Sequence, residues 1–167
     1  ADKNDLTLLD EVDRTPMDDV TAKFLAERAE TIHLLRTAAT MPPAVWPATN
    51  GDIGTVLPPL NWSREASKLL LLQARFDLHQ KRTEQAIDDM LAALAVGRHI
   101  ATRKLMVASM VDIGIEYGAI NGLAAMLPAL PVDAVKGLAA KIAKLPKPLT
   151  GAELMDGEFA FGKEAAW

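Results

Sequence analysis

The stretch LLLLQARFDLHQKRTEQAIDDMLAAL, residues 69–94, carries two helical patterns that meet at a short polar joint at residues 79–83. Apolar side chains recur there at intervals of three and four residues, the spacing of one buried face of an α-helix. The inner positions are Leu69, Leu72, Phe76 and His79 before the joint, and Ala86, Ile87, Met90, Leu91, Leu94 and Ala101 after it. Because the joint is so short, the two helices must lie antiparallel. The stretch therefore predicts a helical hairpin.

The composition extends this prediction to the whole chain. Half of the 167 residues are hydrophobic but only 5% are aromatic, and the apolar residues are mainly aliphatic, which favours packed helices over a β-sandwich. A chain of this length suits one compact domain. We therefore predict an all-α bundle of about five to six helices over residues 16–167. Residues 1–15 are expected to form an N-terminal arm that is either loosely held or a short helix docking through Leu6, Leu8 and Leu9.

Two elements are expected before the hairpin. Thr15, Pro16 and the acids that follow form a helix start, and apolar residues at helical spacing continue it to residue 39. Residues 40–62 contain five prolines and two tryptophans, Trp46 and Trp62, without a sustained period. This segment predicts a long ordered loop that ends where Ser63 caps the hairpin's first helix. The loop is either a connecting strap or a lid over a binding site.

Three helices are expected after the hairpin. Residues 102–127 are unusually apolar and place Gly114, Gly118 and Gly122 at four-residue intervals, which predicts a central buried helix approached closely by another, with a break near residues 117–121. Residues 132–145 form a short amphipathic helix. The last helix begins at a capping box formed by Thr150 and Glu153.

Charge and composition exclude several classes of protein. The net charge is −4 with acids and bases interspersed, so we expect no nucleic-acid partner, which would require a basic face. No apolar run is long enough to span a membrane. The chain has no cysteine, so it forms neither disulfides nor cysteine-based zinc sites. Oligomeric state, compartment and extension beyond Ala1 or Trp167 stay open.

The sequence contains no recognisable catalytic motif. Glu30 and His33 are one half of the pattern of a di-iron bundle, but His79 and His99 each lack a glutamate three residues earlier. No nucleophile elbow, phosphate-binding loop or dinucleotide fingerprint appears. We therefore assign no catalytic residue, metal or cofactor, and favour a protein that is not an enzyme.

One polar cluster has two interpretations. Asp112 and Glu116 lie four residues apart on the most apolar helix, where unpaired charges would be costly. Arg75, in the middle of the hairpin's first helix, is the expected cation. The three residues form either a structural ion pair that sets helix packing, or the polar floor of a ligand pocket roofed by Trp46 and Trp62.

Two resemblances add to these predictions. Small and large residues of the hairpin, Ala74, Ala86, Met90 and Ala93, fall at the offsets of a single tetratricopeptide repeat. The order LLR, a tryptophan-containing proline-rich loop, LLLLQARFDL, EQAIDDMLAALAVGRHI and VDIGIEYGA resembles, over residues 25–145, an uncharacterised group of bacterial all-helical proteins that often carry an export signal or membrane anchor. That resemblance implies a helical fold and favours the bacterial cell envelope or periplasm over the cytoplasm.

The sequence thus predicts a non-enzymatic interaction or scaffold module that binds a protein or peptide. The alternative is a small-molecule-binding or enzymatic bundle that uses Arg75, Asp112 and Glu116 beneath the two tryptophans. Fold alone does not decide between them.

Overall fold

The computed structural model describes residues 8–9, 11–43, 46 and 52–165, and over these ranges the protein is all-α, as predicted, with no strand. Seven α-helices are present in this part of the chain. They are α1 (Asp19–Glu27), α2 (Ala29–Ala39), α3 (Ile53–His79), α4 (Thr83–Ala101), α5 (Met106–Met126), α6 (Val132–Ile142) and α7 (Gly151–Ala165), with a short 3₁₀ turn at Leu127–Ala129 between α5 and α6.

The hairpin of α3 and α4 is the centre of the bundle, and the contact between these two helices is the most extensive in the structure. Their joint, residues 80–82, is as short as the sequence predicts. Lys81 turns the chain with a φ of 61°. Small side chains such as Ala74, Ala86 and Ala93 are fully buried along the hairpin, which lets the two helices approach closely. The structure confirms the predicted helical hairpin. The resemblance of this hairpin to a tetratricopeptide repeat is not confirmed.

Two hydrophobic clusters fill the bundle. The larger one joins α1, α2, the middle of the hairpin, the second half of α5 and Leu138 of α6. Leu8 and Leu9 of the predicted arm pack against it, whereas Leu6 lies outside the described residues. The smaller one lies at the far end of the hairpin and contains Val56, Leu60, Ile100, Leu105, Ala108, Val111 and Ile115. Helices α3, α4 and α5 contribute to both clusters and therefore form the centre of the domain.

The first predicted helix is divided in two. Asp18, not Thr15, caps α1, and its side chain accepts hydrogen bonds from the backbone N–H groups of Val20 and Thr21. The chain leaves helical geometry at Arg28, where φ is −111° and ψ is 12°, and α2 begins at the next residue. A single helix over residues 16–39 was therefore a wrong prediction, because one apolar period continues across two helices that bend around the core.

The predicted loop at residues 40–62 is also shorter than expected. Residues 44–45 and 47–51 lie outside the described part, but α3 already begins at Ile53 and includes Pro58 and Pro59. Ser63 is thus inside α3 and is not a cap. Its hydroxyl donates to the Pro59 carbonyl at 2.8 Å. Burial of the apolar side chains on either side of the proline pair keeps this first part of α3 helical despite the missing N–H donors.

The remaining helices follow the prediction more closely. Helix α5 is continuous, so the expected break near residues 117–121 is absent. The Thr150 hydroxyl and Glu153 carboxylate form the expected capping box at the start of α7, with the Thr150 hydroxyl 2.7 Å from the Glu153 Oε2. None of the described helices combines the length and the apolar character needed to cross a membrane.

Candidate functional site

The predicted polar cluster forms with a different cation. Glu116 accepts a hydrogen bond from the Nε of Arg98 at 2.8 Å, and the Nη1 of Arg98 donates to the Pro146 carbonyl at 2.8 Å. Arg75 donates instead from Nη1 to the Thr15 carbonyl at 3.4 Å. Arg98 takes the predicted role because α4 packs along α5 more extensively than α3 does.

Asp112 lies at the closest approach of α4 and α5. The side chain is 6% exposed, and its Oδ1 has no hydrogen-bond partner. A Cβ placed on Gly97 of α4 would lie 2.6 Å from this oxygen, so only glycine fits there without a shift. Burial, together with the nearby Glu116 carboxylate, raises the pKa of Asp112 to about 6, against the opposing effect of Arg98. The polar cluster therefore lies between α4 and α5, where the Arg98–Glu116 pair links the two helices.

Trp46 and Trp62 line one apolar pocket with a volume of about 440 Å³. The indole N–H of Trp46 donates to the Thr102 hydroxyl at 2.9 Å, and the guanidinium of Arg103 lies 4.3 Å above the Trp46 ring. His99 also contributes to the wall. Its Nε2 is buried without a partner, and burial lowers the pKa of the imidazole.

The pocket does not have the predicted polar floor. Arg75, Asp112 and Glu116 are not among the residues that line it. Trp62 belongs to α3, not to a loop, and is 70% exposed. The structure therefore brings the two tryptophans together, and separately brings the two acids together, but it does not combine the two groups in one site.

The outward face of α5 is a continuous exposed apolar surface, so the prediction that this helix is buried is wrong for this face. We name this surface the outer seam. It consists of Met106, Met110, Ile113, Tyr117, Ile120, Ala124 and Leu127. Their exposure ranges from 42% for Leu127 to 72% for Tyr117 among the large side chains. The intervals alternate strictly between four and three residues, which is the heptad spacing of helices that pair lengthwise.

The outer seam carries no exposed charge. Between Leu105 and Pro131 the ionisable residues are Asp112, Glu116 and Tyr117. Asp112 is buried, and Glu116 is turned towards Arg98. An uncharged surface of this length is unusual on a monomeric protein and is typical of a docking site.

The outer seam was missed because α5 is apolar on both faces. A helix that is hydrophobic all round is normally buried, and the glycines at 114, 118 and 122 strengthened that interpretation. Gly118 and Gly122 do face the hairpin, where added Cβ atoms would contact Leu71 and Met90. The four-and-three spacing of the large side chains was the available signal, since it continues without interruption from residue 106 to residue 127.

Within the described residues, no group of three or more His, Cys, Asp or Glu side chains could hold a metal ion. No protein-family model, curated protein or solved structure matches the chain, so the resemblance to a bacterial helical group gains no support from known proteins.

Proposed function

We propose that this protein is a non-enzymatic helical interaction module and that the outer seam of α5 docks the apolar face of another helix. The observation that carries the proposal is the unbroken heptad spacing of exposed side chains from Met106 to Leu127. Helices that pair in water do so through such seams, because each apolar side chain inserts between side chains of the partner at the same intervals.

The size of the outer seam supports this function. Its exposed fractions correspond to on the order of 700 Å² of apolar surface, close to the roughly 800 Å² that each partner buries in a standard interface. The largest apolar patch on a typical monomer is about 300 to 600 Å². Burial of this surface against a partner removes it from water, which is the main favourable contribution to association.

The attachment of the inner face of α5 to α4 also supports docking. The inner face is fixed to α4 by the Arg98–Glu116 pair and by the close approach of Asp112 to Gly97. A helix held in this way presents its outer side chains in a defined arrangement, so little conformational entropy is lost when a partner binds. The partner expected from this surface is an amphipathic helix with an uncharged face of Leu, Ile or Met at heptad spacing.

A model peptide tests the proposal. We would use a helix of three heptads with leucine at both core positions, labelled with a fluorophore, and measure binding by fluorescence anisotropy. Ile113→Glu places a charge in the middle of the outer seam and should weaken binding at least tenfold. Leu34→Glu is the matched control, since Leu34 is 59% exposed on α2 and Ile113 is 65% exposed. The titration is run at a protein concentration low enough for each variant to be a single chain, and equal binding by the two variants would then contradict the proposal.

The tryptophan pocket supports a second candidate function, the binding of an apolar small molecule. Its volume of about 440 Å³ is within the usual range for ligand sites. Its wall is mostly apolar, with a small number of polar groups such as the His99 imidazole. Decanoate, titrated while tryptophan fluorescence is followed, tests this candidate. The titration should change the emission of the unmodified protein and change that of Trp62→Ala less, since Trp46 is then the remaining tryptophan of the pocket wall. A response that is the same in both proteins would exclude this pocket as the binding site.

A further inference from the structure

We infer that the helix docked on the outer seam is the α5 of a second copy of this chain, so that two copies pair about a two-fold axis close to Tyr117. This inference rests on the proposed function and names the partner of the same surface. It is carried by the position of Tyr117 and by the area and charge of the outer seam.

The outer seam is symmetric in extent about Tyr117. Three members precede this residue and three follow it, and the seam reaches from Met106 to Leu127. At 1.5 Å per residue it is about 32 Å long. Two copies overlap over this whole length only when their Tyr117 residues lie close to the axis. Each Tyr117 is then flanked by the isoleucines at 113 and 120, whichever direction the partner helix runs.

The area matches what a stable dimer needs. Two seams of on the order of 700 Å² each would remove at most about 1,400 Å² from water, which falls in the range of about 1,200 to 2,000 Å² for specific interfaces. A two-fold axis makes the same patch serve both copies. Self-association therefore covers the entire exposed surface without a further protein.

The charge distribution permits two copies to approach along this face. Each chain carries a net charge of −4, so most pairings of surfaces would bring like charges together. The outer seam has no exposed charged side chain, and Glu116, the nearest acid at its border, is 2.8 Å from Arg98. Each Glu116 therefore borders the contact as part of an ion pair without net charge, and the other charges of the two copies lie outside the outer seam, where solvent and salt screen them.

Gly114 is consistent with a close partner. A Cβ at this position would meet no atom within 4 Å, so no contact inside the described chain requires a glycine. A glycine in the middle of a helix costs about 0.5 to 1 kcal/mol relative to alanine. The residue lies beside Ile113 on the exposed side, where the missing side chain leaves room for a side chain of the second copy near the axis.

Sedimentation equilibrium of the full chain at micromolar concentration tests the inference. The unmodified protein and Leu34→Glu should sediment with twice the chain mass of 18.0 kDa, and Ile113→Glu should sediment with the mass of one chain. Circular dichroism would establish that both variants keep their helices, which we expect because both substituted side chains are exposed. A monomeric unmodified protein, or a dimer that Ile113→Glu leaves intact, would overturn the inference.

A cysteine variant gives a second and independent test. The chain contains no cysteine, so Tyr117→Cys introduces a single thiol. Mild oxidation should convert Tyr117→Cys to a disulfide-linked dimer that runs as one chain after reduction. Leu34→Cys should stay largely unlinked, since Leu34 lies on α2 and is 59% exposed against 72% for Tyr117. Linking of both variants to the same extent would mean random collision and would count against the pairing.

The peptide experiment distinguishes the docking function of the outer seam from the identity of its partner as a second copy. A monomeric protein that binds the three-heptad peptide, and loses that binding in Ile113→Glu, would overturn the second copy as partner and keep the docking function. A monomeric protein that does not bind the peptide would overturn both.

Discussion

The guanidinium of Arg36 donates two hydrogen bonds to the carboxylate of Asp89, from Nε to Oδ1 at 2.6 Å and from Nη2 to Oδ2 at 2.8 Å. Asp89 has no exposed surface. A second buried acid, Asp77, accepts hydrogen bonds from Gln73 and Arg82. Burial raises the pKa of Asp89 most strongly, while its bonds to Arg36 oppose that rise. The Nη2 of Arg36 also lies 3.7 Å from Asp77 Oδ2, so the network joins α2 to both helices of the hairpin.

Substitution of Arg36 by methionine should destabilise the protein by about 3 kcal/mol, because it leaves the buried Asp89 carboxylate without its cation. The double variant Arg36→Met/Asp89→Asn should recover part of this loss, since the uncompensated charge is gone. Urea denaturation at pH 7 measures the free energies of unfolding. Lys23→Met is the control, since Lys23 and Glu27 form an exposed pair at 3.9 Å that contributes little. A loss no larger than that of the control would contradict the structural role of Arg36.

This network was not predictable from the sequence. Asp77 and Asp89 lie within the apolar patterns of the hairpin, but 53 residues separate Arg36 from Asp89. Helical periodicity shows which residues share a face of one helix, and gives no information about which distant side chain will meet them. The same limit explains the choice of Arg75 over Arg98 as the partner of Glu116.

The elements themselves were more predictable than their contacts. The hairpin and the all-α class followed from local periodicity, which the short joint at residues 80–82 made unambiguous. The start of α3 was misplaced because Pro58 and Pro59 were taken to end helical structure, whereas buried Val56 and Leu60 anchor the helix on either side of them. The outer seam was misassigned because burial depends on what the rest of the chain leaves uncovered.

Gly97→Ala should destabilise the protein. The added Cβ would lie 2.6 Å from Asp112 Oδ1 and 3.2 Å from Ile115 Cγ2, so α4 and α5 would have to separate, at a cost of about 1 to 3 kcal/mol. Gly137→Ala in α6 is the matched control, since its Cβ would meet nothing within 4 Å and alanine favours helices. The control should gain about 0.5 to 1 kcal/mol. Thermal and urea denaturation measure both changes. A Gly97→Ala protein as stable as the unmodified protein would mean that α4 and α5 pack less closely than the 2.6 Å distance indicates.

Replacing Lys81 by glycine should stabilise the protein. Its φ of 61° lies in the left-handed region, which costs an ordinary residue about 1 to 2 kcal/mol. Lys81→Gly should therefore raise the free energy of unfolding by up to about 1 kcal/mol, after allowance for the greater freedom of glycine in the unfolded chain. Lys81→Ala removes the same side chain but keeps the strain, so it should show no such gain. An equal gain in Lys81→Ala would mean that the stabilisation comes from removing the lysine side chain and not from relieving strain in the backbone.

Asp112 should make the stability of the protein depend on pH between about 4 and 6. Its pKa rises from 3.8 in the unfolded chain to about 6 in the fold, mainly because burial disfavours the charged form. The folded protein therefore binds more protons than the unfolded chain in this window, and stability falls as the pH rises through it. A change of the pKa from 3.8 to about 6 corresponds to a loss on the order of 3 kcal/mol.

Asp112→Asn isolates this effect, because asparagine keeps the shape of the side chain and cannot ionise. Near pH 4 the variant and the unmodified protein should have similar free energies of unfolding, since Asp112 is then largely protonated in the fold. At pH 7 the variant should be the more stable of the two, because it avoids burying a carboxylate beside Glu116. Urea denaturation at both pH values checks this. A difference between the two proteins that is the same at pH 4 and pH 7 would mean that Asp112 ionises with an ordinary pKa.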